Sequence, residues 1–241
     1  MIVPVYVGYD PREAVAYHTF CQSILSKSSV PCSFIPLHGP QLRFDGQQDG
    51  TNAFIYSRYL IPHLMNYQGW ALFVDGDMVA LEDIAELWKL RDDSKAVMVV
   101  KHQYKTKHPR KYMGSPLEND NVDYPRKNWS SVVLWNCGHP ANKILTKHQV
   151  ATMGGAYLHR FEWLTDAEIG ELPPDWNVLV GEQVVTQDAK LLHYTLGIPA
   201  FRFYSRQDAK PWHREYLRAS HCDGEIATGI ARRAEEQTEW L

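Results

Sequence analysis

Asp75 and Asp77 carry the clearest chemistry in the chain. They are separated by Gly76 and preceded by the apolar run 70–74. Two carboxylates offset by one residue at the end of a strand can converge on a hard divalent cation. Such a cation, Mg²⁺ or Mn²⁺, keeps coordination positions open for phosphate oxygens. A glycine between them leaves the backbone bare, so a bulky ligand can approach. Taken alone, Asp-x-Asp at a strand end is equally compatible with simple turn chemistry. Its meaning depends on the elements that position it.

Those elements read as alternating strands and helices. Residues 2–7 form a short apolar, β-branched run ending at Gly8, which predicts a buried parallel strand. Ala14, Tyr17, Cys21, Ile24 and Leu25 recur at helical spacing, with Pro11 where a first-turn proline is tolerated. A second strand is predicted over 33–37. Thr51 or Asn52 can cap a helix running through Tyr59 and Leu64. Residues 70–74 predict a third strand, 81–90 an amphipathic helix and 96–100 a fourth strand. The alternation predicts one α/β domain, a mostly parallel sheet flanked by helices. Right-handed crossovers then align the strand C-terminal ends along one edge, where ligands of open α/β sheets bind. Both 8–10 and 75–77 fall at such ends. Residues 103–127, rich in Lys, Pro, Asn and Asp, read as a long loop, and such loops are usually functional or disordered. Residues 131–135 resume a strand. The charged stretch 205–241 predicts a helical extension packed on a domain spanning 1–204.

Composition narrows the function classes. A net charge of −3 over 241 residues gives no basic excess for nucleic acid. No apolar window is long enough for a transmembrane helix, and the N-terminus does not read as a signal peptide. Peripheral contact with a membrane stays open. Cys21, Cys32, Cys137 and Cys222 are scattered without C-x-x-C spacing, so they read as reduced thiols in a cytoplasmic protein.

Five segments, in order, extend the reading. FVDGDMVALEDIAELW (73–88) resembles the segment around Asp-x-Asp in family 8-type glycosyltransferases of the GT-A fold, down to the Leu87-Trp88 pair. IYSRYLIPHL (55–64) is similar to that family's Tyr-x-Arg helix, which implies that Arg58 faces the donor. NWSSVVLWN (128–136) resembles its strand opening on a polar cluster, here Asn128, Ser130 and Ser131. LPPDWN (172–177) matches its Leu-Pro-x-x-Trp-Asn pattern, and LLHYTLG (191–197) resembles its His-Tyr-x-Gly segment. The resemblance implies a Rossmann-like GT-A fold, a nucleotide-sugar donor (most commonly a uridine diphosphate sugar) and a divalent metal. It places Gly8, Tyr9 and Asp10 around base and ribose, with Asp10 accepting hydrogen bonds. It makes His193 the third metal ligand beside Asp75 and Asp77, although a lone histidine in an apolar strand is more often a core residue. A mixed oxygen and imidazole set leans toward Mn²⁺ over Mg²⁺.

The chain departs from the family in one place. Relatives continue His-Tyr-x-Gly-x-x-Lys-Pro-Trp, and that lysine contacts the diphosphate. Here an extra residue precedes Gly197 and Ala200 stands at the lysine position, while Lys210-Pro211-Trp212 follows ten residues late. Arg58, Arg202 and Lys210 are therefore candidates for the charge on the diphosphate. The resemblance also implies retention of anomeric configuration. The polar stretch 162–168 is where a group beneath the anomeric carbon is expected, with Asp166 as the candidate; a general base there would invert instead. The acceptor could be a glycan, a lipid-linked precursor or a protein. Rival readings are a non-catalytic nucleotide-sugar-binding module, a sugar nucleotidyltransferase, which wants a Gly-rich basic loop, and a HAD-type phosphatase, which wants its Asp-x-Asp on the first strand.

Overall fold

The computed structural model describes residues 2–42 and 52–220. Its first strand, β1 (Val3–Gly8), ends in a 3-10 turn that Asp10 caps by accepting the Arg12 amide. The turn feeds α1 (Ala14–Leu25), whose Ala16, Phe20 and Ile24 are buried. β2 (Cys32–Leu37) returns parallel to β1. The single helix expected over 52–64 is instead a set of turns, a 3-10 helix at Ser57–Leu60 and the one-turn α2 (Ile61–Leu64). Pro62 supplies no amide to continue the ladder from the preceding turn, and Asn52 caps nothing; Thr51 lies outside the described residues. The buried aromatics Phe54, Tyr56 and Tyr59 hold this segment on the sheet.

β3 (Trp70–Val74) leads into the Asp-x-Asp. The chain then continues as β4 (Met78–Ala80) before the short α3 (Ile84–Trp88). The helix begins later than expected because Asp83 Oδ1 accepts the Ala85 amide at 2.9 Å and sets its start. β5 (Val97–Val99) follows, and then the loop 103–127, which carries the small ladder of β6 (Arg110–Lys111) and β7 (Asn119–Asp120). β8 (Val132–Asn136), α4 (Lys147–Thr152), α5 (Gly155–His159), β9 (Ile169–Glu171), β10 (Val178–Leu179), β11 (Leu191–His193) and α6 (Lys210–Ser220) complete the described chain.

The main sheet has the order β2-β1-β3-β8-β5-β9, with β8 antiparallel to both neighbours. Both faces are covered. Ala71 and Phe73 of β3 enter one core with Tyr59 and Trp135, while Leu72 and Val74 enter the other with Phe20 and Trp88. A second sheet, β10-β11-β4, packs with α1 and α6 through Val79, Leu192, Tyr194 and Trp212. Helix α6 is fixed to α1 by the fully buried Glu215, which accepts from Ser26 Oγ (2.8 Å) and Lys27 Nζ (3.1 Å). Residues 221–241, including Cys222, lie outside the described residues. Cys21, Cys32 and Cys137 are free thiols. No helix of the described residues is long and apolar enough to cross a membrane.

Two strand pairings assemble the site. Because β8 runs antiparallel, Val132 pairs with Val74, and the Asp75 amide donates to the Ser131 carbonyl at 3.0 Å. The polar cluster before β8 therefore arrives beside Asp75. β11 runs antiparallel to β4 with His193 opposite Met78, and the Tyr194 amide donates to the Asp77 carbonyl at 2.9 Å. His193, distant in sequence, is thereby set against the Asp-x-Asp. The bareness of Gly76 serves the chain itself. A Cβ there would lie 2.4 Å from the Gly8 carbonyl oxygen, and one on Gly8 would lie 2.3 Å from the Phe54 ring.

Candidate metal and donor site

One carboxylate oxygen each from Asp75 and Asp77 and one ring nitrogen of His193 lie within 4.8 Å of one another. His193 Nε2 is 3.3 Å from Asp77 Oδ1 and 3.9 Å from Asp75 Oδ2. Its other nitrogen, Nδ1, is 3.1 Å from Asn177 Oδ1. Asn177 is itself oriented, since its amide nitrogen donates to Ser131 Oγ at 2.8 Å. Asn177 thus orients the ring so that Nε2 faces the two carboxylates. A hydrogen-bond partner on the far nitrogen is the usual support of a metal-binding histidine.

The carboxylates differ. Burial pushes the Asp75 carboxyl up to about 6, with Asp77 adding to the rise and Arg58 and His193 opposing it. Arg58 Nη1 lies 2.8 Å from Asp75 Oδ1. Burial would also raise Asp77, but nearby His193 and the Tyr112 hydroxyl, which donates to Asp77 Oδ2 at 3.0 Å, hold it below the usual carboxylate range. Beneath them Glu13 is 5% exposed, and burial together with Asp77, Asp10 and Asp75 raises its carboxyl well above normal. Asp77 Oδ1 is buried and accepts no hydrogen bond, whereas Asp75 Oδ1 is ion-paired with Arg58. A buried acceptor left unmatched is costly. One oxygen from each carboxylate and one imidazole nitrogen within 4.8 Å of one another fit a divalent cation.

A cavity of about 360 Å³ opens beside this cluster, lined among others by Arg58, Asp75, Lys111, Tyr124, His159 and His193. Arg58 is no surface residue. It is 4% exposed, donates to the Ser130 carbonyl at 2.8 Å and lies over the Phe73 ring at 4.8 Å. Asn128, Ser130 and Ser131 line the cavity, yet their side chains serve neighbours: Asn128 donates to Tyr104, Ser130 Oγ meets His159 Nδ1, and Ser131 Oγ donates to the Asn128 carbonyl.

Other expected residues stand elsewhere. Asp10 is buried, and its oxygens accept from Arg12 Nε (2.9 Å), Arg12 Nη2 (2.6 Å) and the Ala53 amide (2.9 Å), so they are taken by the chain. Gly8 is closed over by Phe54, and Tyr9 packs edge-on against Tyr17 and His38. None of the three lines the cavity. Asp166 is 88% exposed and pairs with Arg126 on the surface, so the structure does not bring it beneath a donor. Lys210 is exposed at the start of α6, where Trp212 of the Lys-Pro-Trp run is a core residue. Arg202 is likewise exposed. Lys111, Tyr112, Glu13 and His159 join the site without having been singled out from sequence. His159 is a neutral ring, its pKa pushed down to about 3 by burial and by Arg58.

The fold is that of the GT-A glycosyltransferases, with the Asp-Asp-His cluster at the edge of its sheet. The chain belongs to glycosyl transferase family 8, whose model matches residues 11–138. Protein CDI of Arabidopsis thaliana is 47% identical over 208 residues, covering 82% of this chain and 79% of that relative. Among solved structures, the fold is similar to WbbM, a bifunctional glycosyltransferase (14% identity, 96% of this chain, 51% of that one, TM-score 0.60). It is also similar to the glycosyltransferase GlyE of Streptococcus pneumoniae TIGR4 (14% identity, 98% of this chain, 64% of that one, TM-score 0.58). The galactosyltransferase LgtC, solved with donor and acceptor sugar analogues, matches with 11% identity over 92% of this chain and 98% of its own (TM-score 0.56). This chain thus spans about half the length of WbbM and under two thirds of GlyE.

Proposed function

We propose that this chain transfers a sugar from a nucleotide-diphosphate sugar, most simply a uridine one, to a glycan, lipid-linked or protein acceptor. Asp75, Asp77 and His193 hold Mn²⁺ or Mg²⁺ in this reading. The observation that carries it is the convergence, within 4.8 Å, of one oxygen each from Asp75 and Asp77 with a ring nitrogen of His193, a ring that Asn177 orients. When bound, the cation supplies Lewis-acid stabilisation of the leaving diphosphate. Arg58 fixes Asp75, Tyr112 fixes Asp77, and Asn177 fixes His193, so little needs to reorganise when charge develops. Free thiols at the three described cysteines support a cytoplasmic setting.

Among the described residues lining the cavity, Asp75 is the sole carboxylate. That supports retention by front-face attack of the acceptor over a route needing a separate carboxylate nucleophile or base. Gly8 and Tyr9 at the end of β1 are kept as candidates to flank the nucleoside. The sugar-analogue complex of LgtC, a protein of the same fold, supports a sugar donor and acceptor here.

A nucleoside diphosphate and Mn²⁺ together are expected to raise the melting temperature well beyond the sum of either alone, because a ligand that binds only the folded state stabilises by mass action. Thermal unfolding with uridine diphosphate, with and without Mn²⁺, checks this. Full stabilisation by the nucleotide in EDTA would remove the metal bridge from the reading. The same binding with no turnover of any donor would favour a non-catalytic binding module.

A further inference from the structure

Lys111 occupies a place that its sequence context does not announce. It stands on β6, inside the loop 103–127, and its neighbours are anchored on both sides. Arg110 pairs with Glu118 and Asp120 at 2.8 Å each. The Tyr112 amide donates to the Leu196 carbonyl at 2.7 Å, and its hydroxyl reaches Asp77. Between these anchors the Lys111 side chain is half-buried and lines the cavity that holds Asp75 and His193. Asp77, Asp75 and Glu13 all act on its charge. Yet among the described residues its ammonium makes no hydrogen bond and no ion pair within 4.0 Å; it lies over the Tyr112 ring, 5.4 Å from the ring centroid. A partly buried cation without a partner is costly, and an anion arriving beside it relieves that cost.

Arg58 is committed to Asp75 and the Ser130 carbonyl. Arg160, at the cavity's edge, is only loosely paired with Glu162 at 3.6 Å and has a buried Nε without a partner, so it is a second cation there. Lys210 and Arg202 are exposed away from the cavity.

We propose that Lys111 supplies the positive charge on the nucleoside diphosphate, from the loop before β8 and not from the segment after β11. This rests on the nucleotide-sugar reading above. Burial lowers the Lys111 ammonium pKa while Asp77 and Asp75 oppose the drop, so a bound diphosphate would hold it charged. The same loop delivers Tyr112 to Asp77, so metal support and diphosphate contact are carried on adjacent residues.

The test is calorimetry on the full chain with uridine diphosphate plus Mn²⁺ as probe, in wild type, Lys111→Met and Lys111→Arg. Loss of a charge-assisted contact should weaken diphosphate binding by about 10- to 100-fold in Lys111→Met. Lys111→Arg should recover most of it, and the affinity for Mn²⁺ alone should not fall in either variant. Amine acylation of the wild type, read by mass spectrometry, should label Lys111 and lose that label when uridine diphosphate and Mn²⁺ are present. Wild-type-like diphosphate binding by Lys111→Met, or an equal loss of Mn²⁺ affinity, would overturn the assignment while leaving the nucleotide-sugar reading intact. Failure of the wild type to bind uridine diphosphate at all would overturn that reading and this inference with it.

Discussion

Asp77→Asn is expected to abolish measurable Mn²⁺ binding and to cut sugar transfer by about three orders of magnitude or more, with the fold intact. Asparagine keeps the volume of the side chain and an acceptor for the Tyr112 hydroxyl, which donates to Asp77 at 3.0 Å. What it removes is the anionic oxygen that is buried and accepts no hydrogen bond. The metal-free variant should therefore melt close to the metal-free wild type, and the two should diverge only when Mn²⁺ is added. The pH dependence of the wild type follows from Asp75. Its carboxyl is raised to about 6, so below that pH it carries a proton that the cation must displace. Mn²⁺ affinity should fall by about tenfold per pH unit below that point and level off above it. Calorimetric titrations from pH 5 to 8 read both effects. Undiminished Mn²⁺ binding by Asp77→Asn would break the ligand set.

His193→Ala should lower Mn²⁺ affinity by orders of magnitude, and Asn177→Ala by a smaller factor, about 10- to 100-fold. The two effects are linked by geometry. His193 Nδ1 is held at 3.1 Å by Asn177, and Asn177 is held at 2.8 Å by Ser131, so loss of the amide frees the ring to turn without removing it. A core histidine would behave otherwise. Both substitutions would then lower stability through lost packing, and Mn²⁺ affinity would stay the same. Titration of Mn²⁺ into both variants, beside their metal-free melting curves, separates the two roles. Equal affinity in His193→Ala would leave the cation with two aspartates alone.

The parts of this site that could be read from sequence are those written as local patterns. Asp75-Gly76-Asp77 sits at the end of an apolar run, and the buried strands β1, β3 and β8 announce themselves by β-branched and aromatic content. Asn177 could be seen as the end of LPPDWN, though its task, aiming His193, needed the fold. Contacts made by strand pairing could not be read, because the pairing of β4 with β11 joins residues more than a hundred apart. Lys111 and Tyr112 lie in a polar loop with no periodicity, so nothing local separates them from solvated loop residues. Asp166 misled in the opposite way. Its polar neighbourhood precedes a motif of the site, yet the 3-10 turn that carries it faces solvent. Asp10 had the right type and place at a strand end, but Arg12 two residues on captures its carboxylate.

Slow hydrolysis of nucleotide sugars by the purified wild-type chain, across a panel of bases and sugars with Mn²⁺ or with EDTA, tests the central claim most directly. A metal-bound site that activates the anomeric bond toward an acceptor should also leak to water. The expected result is release of nucleoside diphosphate from at least one donor, dependent on Mn²⁺ and lost in Asp77→Asn. Release that persists in EDTA, or that Asp77→Asn leaves unchanged, would contradict the assignment of Asp75, Asp77 and His193 as the centre of the reaction.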